Sequence, residues 1–298
     1  MERKKEGAKQ SLNSKYATNR KIRNGIYSAT KKIKAPGDAS FPLMILRNRG
    51  PVGMASIIRM SGDIDTFTML INKHFSKRVI KRISTRTQGQ SNNSFWFLYR
   101  RAIITGTLAR RVISQNICGE TNLKLNQAIS KFFPNNFCSE AMQYGIENEK
   151  KGMDQFLKIF KNEHIGVKVK NTGVILYERV PYIAGSPDGI VSCECHTESF
   201  LVEIKCPYRL KSVGISGWKI LEYLDARQKL KKNHTYMNQV NLYQGITGIK
   251  TAYFVVYAKD DVIIDTIDFD ESFFRYQIYN MENYYKNHYL PTVLGKNI

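Results

Sequence analysis

From Asp63 to Ser84 apolar residues fall at 64, 67, 70, 71, 75, 79, 80 and 83, a spacing of three and four that predicts a helix. After the polar stretch "TRTQGQSNNS", the segment "FWFLYRRAIITGTLARRVIS" continues the helical pattern as one helix or a pair. Arg100, Arg101, Arg110 and Arg111 interrupt its apolar face. Residues 139 to 163 read as a further helix, with Glu147 and Glu149 near its middle. The period then changes. "GVILYERV", "YIAGSPDGIV" and "FLVEIKC" are short, β-branched and partly alternating, which predicts strands of one sheet. Helical spacing returns around 217 to 248. Two more strands, "TAYFVVYA" and "DVIIDTIDF", flank a turn at Lys259, Asp260 and Asp261, and "ESFFRYQIYNMENYYKNHY" closes the chain as a helix.

Residues 1 to about 37 are rich in Lys, Arg, Ser and Asn and poor in large apolar groups, so they bury little surface against their ordering entropy. They read as a basic arm: a solvated tail, a handle for nucleic acid or an import signal. The expected organisation is a basic extension over 1–60 followed by one mixed α/β domain over 61–298. Within that domain, helices occupy 61–116 and the core 117–298.

The chain has 298 residues, 42% of them apolar, enough for a sizeable core. Its 46 Lys and Arg against 25 Asp and Glu give a formal charge of +21, which calls for a polyanionic partner, nucleic acid before an anionic membrane. No apolar run reaches the roughly 18 residues of a membrane span, and "MERKKEGAKQ" leads into no signal-peptide core. An intracellular location is expected. Cys118, Cys138, Cys193, Cys195 and Cys206 are odd in number and irregularly spaced, which fits reduced thiols. The cluster "CECH" at 193–196 has no second Cys/His pair at a zinc-site spacing, so no zinc site is expected.

The candidate chemistry lies in "AGSPDGIVSCECHTESFLVEIKCPY". On a strand, Glu203 and Lys205 project from one face while Ile204 points into the core behind it. The turn at Pro187, Asp188 and Gly189 brings a second carboxylate beside Glu203 if the two segments are neighbouring strands. Two carboxylates and an amine then converge. Hard divalent cations take oxygen ligands of this kind, and an ammonium offsets charge developing on a phosphate. The alternative is a surface hairpin with an inconsequential Glu/Lys pair.

With "WFLYRRAIITGT", "AMQYGIENE", "AGSPDGI", "VEIKCPY" and "YMNQVNLYQGITG" followed by "AYFVVY" in this order, residues 94 to 258 resemble the PD-(D/E)xK nuclease superfamily, and more closely its phage lambda exonuclease and YqaJ-like viral recombinase branch. The resemblance implies a restriction-endonuclease-like core, a central mixed sheet flanked by helices. It implies that Asp188, Glu203, Glu149 and the backbone carbonyl of Ile204 ligate magnesium, with Glu147 as the fallback for Glu149. Two ions are expected, with manganese able to substitute. Lys205 would orient water or stabilise the phosphate, with Gln239 and Tyr236 beside it and Tyr236 also contacting the DNA; the alternative for both is an ordinary helix residue. Arg100, Thr107 and Ser186 would hold a 5′-terminal phosphate; the competing role for Arg100 is a salt bridge to a carboxylate at the edge of the core. Glu178, ten residues before Asp188, is a further acid of little weight.

The implied activity is magnesium-dependent digestion of linear double-stranded DNA from its ends, 5′ to 3′, in recombination or in the processing of viral or mobile genomes. The implied partners are DNA ends and a single-strand annealing protein, with the chain a trimer or a monomer, in the nucleus or cytoplasm of a host if viral. The alternatives are an endonuclease or ribonuclease of the same superfamily and a catalytically silent DNA-binding module.

Overall fold

The computed structural model describes residues 51–118, with side chains as far as residue 114, and residues 138–295; the expected basic arm lies outside them. The helices and strands, in chain order, are α1 (Met54–Met60), α2 (Ile64–His74), α3 (Lys77–Arg86), α4 (Ser94–Tyr99), β1 (Ile104–Thr105), α5 (Gly106–Cys118) and α6 (Glu140–Glu163). They continue with β2 (Lys168–Lys170), β3 (Ile175–Tyr177), β4 (Val180–Gly185), β5 (Gly189–Ser192), β6 (Phe200–Lys205), α7 (Thr235–Thr247), β7 (Thr251–Ala258), β8 (Asp261–Asp268), α8 (Glu271–Tyr284) and α9 (Leu290–Leu294). One π-turn, Tyr285–Tyr289, joins α8 to α9.

The strands form two sheets rather than the one expected. Strands β1, β4 and β3 lie side by side in that order, and β2, β5, β6, β7 and β8 make a five-stranded mixed sheet. Only the β6–β7 pair of the larger sheet is parallel, Leu201 opposite Ala252 through Lys205 opposite Val256. The chain leaves the smaller sheet at Gly185 and enters the larger at Gly189, so the Pro-Asp turn is the step between sheets.

Alternation along β6 explains the layers. Val202 and Ile204 pack with Phe156 and Phe160 of α6 on one face, while Leu201 packs on the other with Val240 and Tyr243 of α7. Strand β7 repeats the pattern with Val255 and Tyr257 against Phe254 and Val256. Burial of both faces accounts for the continuous apolar runs of these strands. A third apolar cluster joins α1, α2, α3 and α5 to the smaller sheet and to the C-terminal helices, with Tyr182 stacked on Tyr285 at 4.0 Å.

Several boundaries differ from the sequence expectation. Among the described residues, helical structure is already present before residue 61, and Met54, Ile57 and Ile58 of α1 are buried in the core. The single helix expected over 63–84 is two. Phe75 leaves helical geometry and the Ser76 side chain accepts the Val79 amide, starting a new helix. The apolar spacing runs through this break because Ile71, Phe75 and Ile80 all enter one core. Residues 95–114 are a helix pair with β1 inserted between them, and Ala102, at φ 59°, turns the chain into that strand. Of the helical stretch expected over 217–248, only Ile215–Ile220, a short 3₁₀ segment, and α7 are helical. The β7–β8 turn does form where expected, with Lys259 and Asp260 both at positive φ (49° and 66°), as a two-residue hairpin turn requires.

Candidate active site

Antiparallel pairing of Gly189 with Val202 makes β5 and β6 neighbours and sets Asp188 beside the end of β6. One Asp188 carboxylate oxygen accepts the Ile204 amide at 2.6 Å. Glu203 and Lys205 share the α7 face of β6, where the Lys205 ammonium donates to Glu203 Oε1 at 2.5 Å. Gln239, projecting from α7, donates to the same oxygen at 2.7 Å and to the Tyr243 hydroxyl at 2.9 Å. Tyr236, one turn earlier on α7, places its ring under the Lys205 ammonium at 4.8 Å. Ile204 is buried behind them, as expected of the middle residue of Glu-x-Lys.

The third carboxylate comes from α6, where Glu149 lies close enough for its charge to act on the Asp188 carboxyl. Gly152, one turn further on, lets the helix approach: a Cβ there would stand 2.7 Å from Ile204 and 3.0 Å from Tyr257. Glu147 faces solvent and accepts from Gln143 at 2.7 Å, so Glu149 and not the fallback joins the cluster. Glu178 is also elsewhere, paired at the surface with Lys77 at 3.1 Å.

The electrostatics are those of an acidic cluster short of positive charge. Burial, then the charge of Glu149, drives the Asp188 carboxyl well above its usual range. Burial and the Asp188 charge push Glu203 up to about 8, against the opposing pull of Lys205. Burial disfavours the Lys205 ammonium, but Glu203, Asp188 and Tyr236 outweigh it and raise the pKa. The second oxygen of Glu203 is buried and has no hydrogen-bond partner. Two carboxylates that ionise reluctantly and one orphaned oxygen form a donor set that fits a hard divalent cation.

The residues expected to hold a phosphate lie next to this cluster. Trp96 donates its indole N–H to the Ser186 hydroxyl at 3.0 Å, and the Arg100 guanidinium lies over the Trp96 ring at 3.7 Å. No carboxylate pairs with Arg100 among the described residues. Burial lowers its pKa to about 10, while the nearby Tyr243 acts in the opposite direction. Thr107, exposed in the first turn of α5, has its hydroxyl 3.0 Å from that of Thr105.

Sequence reasoning missed three residues here. Tyr243 is the wall between the two groups: a Cβ on Gly106 or on Gly185 would come within 2.6 Å of its ring. The signal was its place four residues after Gln239. Gln90 and Thr172 both donate to the Pro187 carbonyl, the former at 2.9 Å, and fix the turn that aims Asp188. Nothing in their local sequence marks them.

A mixed sheet with an Asp from an inter-sheet turn, Glu-x-Lys on the adjoining strand and a helical Glu defines the restriction-endonuclease-like scaffold of lambda-type nucleases. The comparisons agree with this class. The profile of the YqaJ-like viral recombinase domain matches residues 95–250, and the chain belongs to that family.

Among solved structures, the chain is similar to an alkaline exonuclease from Laribacter hongkongensis. The two are 19% identical, with a TM-score of 0.50, over 67% of this chain and 93% of that one. It is also similar to the shutoff and exonuclease protein of Kaposi's sarcoma-associated herpesvirus, at 10% identity and a TM-score of 0.50 over 72% and 73% of the two chains. The same viral protein in complex with DNA gives 12% identity and a TM-score of 0.51, covering 72% of each chain. No curated protein matches the chain. Among the described residues, no helix is long and apolar enough to cross a membrane.

Proposed function

We propose that the protein is a magnesium-dependent deoxyribonuclease that degrades linear double-stranded DNA from its ends, 5′ to 3′, in recombination or viral genome processing. The observation that carries this reading is the convergence of Asp188, Glu203, Glu149 and Lys205 beside an arginine that no carboxylate neutralises among the described residues. The formal charge of +21 supports a polyanionic substrate. The neighbours named as exonucleases, one of them solved with DNA, support the class.

Asp188, Glu203, Glu149 and the Ile204 carbonyl would hold the magnesium. When bound, the ion polarises the phosphoryl oxygens and makes water a stronger nucleophile. The rest falls to the chain's own groups. The Ile204 amide fixes one oxygen of Asp188, and Gln239 with Lys205 fixes one oxygen of Glu203, leaving the orphaned oxygen free for a ligand. The Lys205 ammonium, charged throughout the working pH range, offsets negative charge growing on the phosphate as water adds to phosphorus and the bond to the departing 3′ oxygen breaks. That oxygen leaves as a hydroxyl after taking a proton. Arg100 with the Ser186 and Thr107 hydroxyls offers charge and donors suited to a terminal phosphate dianion, which has more acceptors than an internal diester.

The test is digestion of a linear duplex labelled at its 5′ end, with and without a 5′ phosphate, in magnesium. A closed circular duplex, a single-stranded RNA and the Lys205→Ala protein run beside it. Progressive loss from phosphorylated ends, with the circle intact and the variant inactive, is expected. Cutting of the circle or preference for RNA overturns the exonuclease reading, and DNA binding without cleavage leaves only a binding module. One solved neighbour is a complex of the herpesvirus protein with RNA, which is why the RNA arm is included.

A further inference from the structure

The geometry points to a second metal site, a structural zinc site formed by His164, Cys193, Cys195 and His196. Spacing along the chain offers "CECH" no second Cys/His pair, but the fold brings one further ligand, His164, beside it. His164, the residue that caps the C-terminus of α6, folds over the loop between β5 and β6 and supplies the missing ligand from 29 residues upstream of Cys193. One donor atom from each of the four residues lies within 4.8 Å of the other three. Cys193 Sγ is 3.2 Å from His196 Nδ1 and 3.6 Å from His164 Nδ1, and Cys195 Sγ is 3.8 Å from His164 Nδ1. A tetrahedral zinc with ordinary Zn–S and Zn–N lengths separates its sulfur and nitrogen ligands by about 3.6 Å. These three separations lie close to the edges of a single-ion tetrahedron, and a span of 4.8 Å for all four donors is too tight for a two-iron cluster.

The chemistry around the four residues agrees with this. Two thiols and two imidazoles in a tetrahedron select zinc over the hard cations suited to the carboxylate cluster. The Ile165 amide donates to Cys195 Sγ at 3.2 Å, a bond that favours a thiolate. Both imidazoles are braced: His164 stacks on Phe160 at 3.8 Å and His196 meets Phe200 edge-on at 5.4 Å. All four ligands come from the protein, which leaves no open position for a substrate. The role is that of a staple. It would pin the end of α6, the helix carrying Glu149, to the hairpin whose strands run back to Asp188 and Glu203. His164 lies about 22 Å along α6 from Glu149, so this site is separate from the carboxylate cluster.

The test is zinc analysis by mass spectrometry on the full chain after tag removal, zinc incubation and desalting. About one zinc per chain is expected, retained by Asp188→Asn and reduced at least tenfold in Cys195→Ser and in His196→Gln. These two ligands are exposed, which keeps the variants foldable; Cys193→Ser, buried, is the third arm. Cobalt substitution should give the visible bands of a tetrahedral thiolate site in the parent and lose them in the variants. Chelation should lower the melting temperature of the parent and leave that of Cys195→Ser unchanged. Absence of tightly held zinc in the parent, or retention of it in both exposed-ligand variants, overturns the proposal.

Discussion

The ammonium of Lys205 lies 2.5 Å from Glu203 Oε1 with both side chains largely withdrawn from water, 19% and 4% exposed. Replacing one partner of such a pair strands the other. Lys205→Met, which keeps the length of the stem, should reduce cleavage of linear DNA by about 10²–10³-fold. It should also cost about 3–5 kcal/mol of stability at alkaline pH without metal, read by chemical denaturation. Glu203→Gln should reduce cleavage at least as far but cost less stability, because it removes a buried negative charge as well as a partner. Equal destabilisation by the two substitutions would contradict this account.

Stability without metal should fall as pH rises. Glu203 titrates near 8 in the folded chain against 4.5 as a free side chain, so between those values the folded state binds more protons than the unfolded one. Asp188, also raised, acts with the same sign. Lys205 opposes neither, since a base with a raised pKa contributes fully until pH passes its unfolded value of 10.5. In chelator, the melting temperature should drop several degrees between about pH 5.5 and 8.5. Magnesium should raise it more at the alkaline end, where its ligands no longer hold protons. A flat profile in chelator would show that the two carboxyls are not perturbed as described.

Arg100→Lys keeps the charge but loses the planar fork that lies over Trp96. Preference for 5′-phosphorylated over hydroxyl ends should shrink by about 10–100-fold, the range for hydrogen bonds to a charged group. The change should appear in KM and leave cleavage of saturating substrate nearly intact. Trp96→Phe, which removes the indole donor to Ser186, should move in the same direction with a smaller effect.

Gly152→Ala tests how α6 seats on the sheet. The added methyl would meet Ile204 at 2.7 Å and Tyr257 at 3.0 Å, so helix or strand must shift. A loss of about 1–3 kcal/mol is expected despite the higher helix propensity of alanine. Activity should fall further than stability explains, because the same shift draws Glu149 away from Asp188.

The candidate site was legible where it is local. Glu203 and Lys205 share a face because strands alternate, and the run "FLVEIKC" shows that the strand is buried. Their neighbour Asp188 needed one assumption, the pairing of β5 with β6, and that pairing holds. Gln239 was found by resemblance alone; its bond to Glu203 depends on how α7 crosses the sheet, which no spacing within the helix encodes. The break at Phe75 and Ser76 was hidden because both helices feed one core and keep one apolar rhythm. The division into two sheets was hidden because β4 and β5 are each short and apolar, with only Ser186, Pro187 and Asp188 between them. His164 gave no signal at all, since its partners lie far along the chain and meet it only when helix and hairpin close on each other.

Strand β6 takes its second neighbour from late in the chain: Leu201–Lys205 pair with Ala252–Val256. The family-model match stops at residue 250, just before that neighbour begins, although the resemblance runs on through "AYFVVY". A fragment trimmed to the matched segment would therefore carry Glu203 and Lys205 on a strand with one bare edge of amides and carbonyls, a template for other chains. During folding the same edge must wait about fifty residues for its partner, a long-range closure of the slow kind. The matched segment is thus shorter than the segment that must fold, and self-association of protein truncated to it should begin at the strand that carries Glu203 and Lys205.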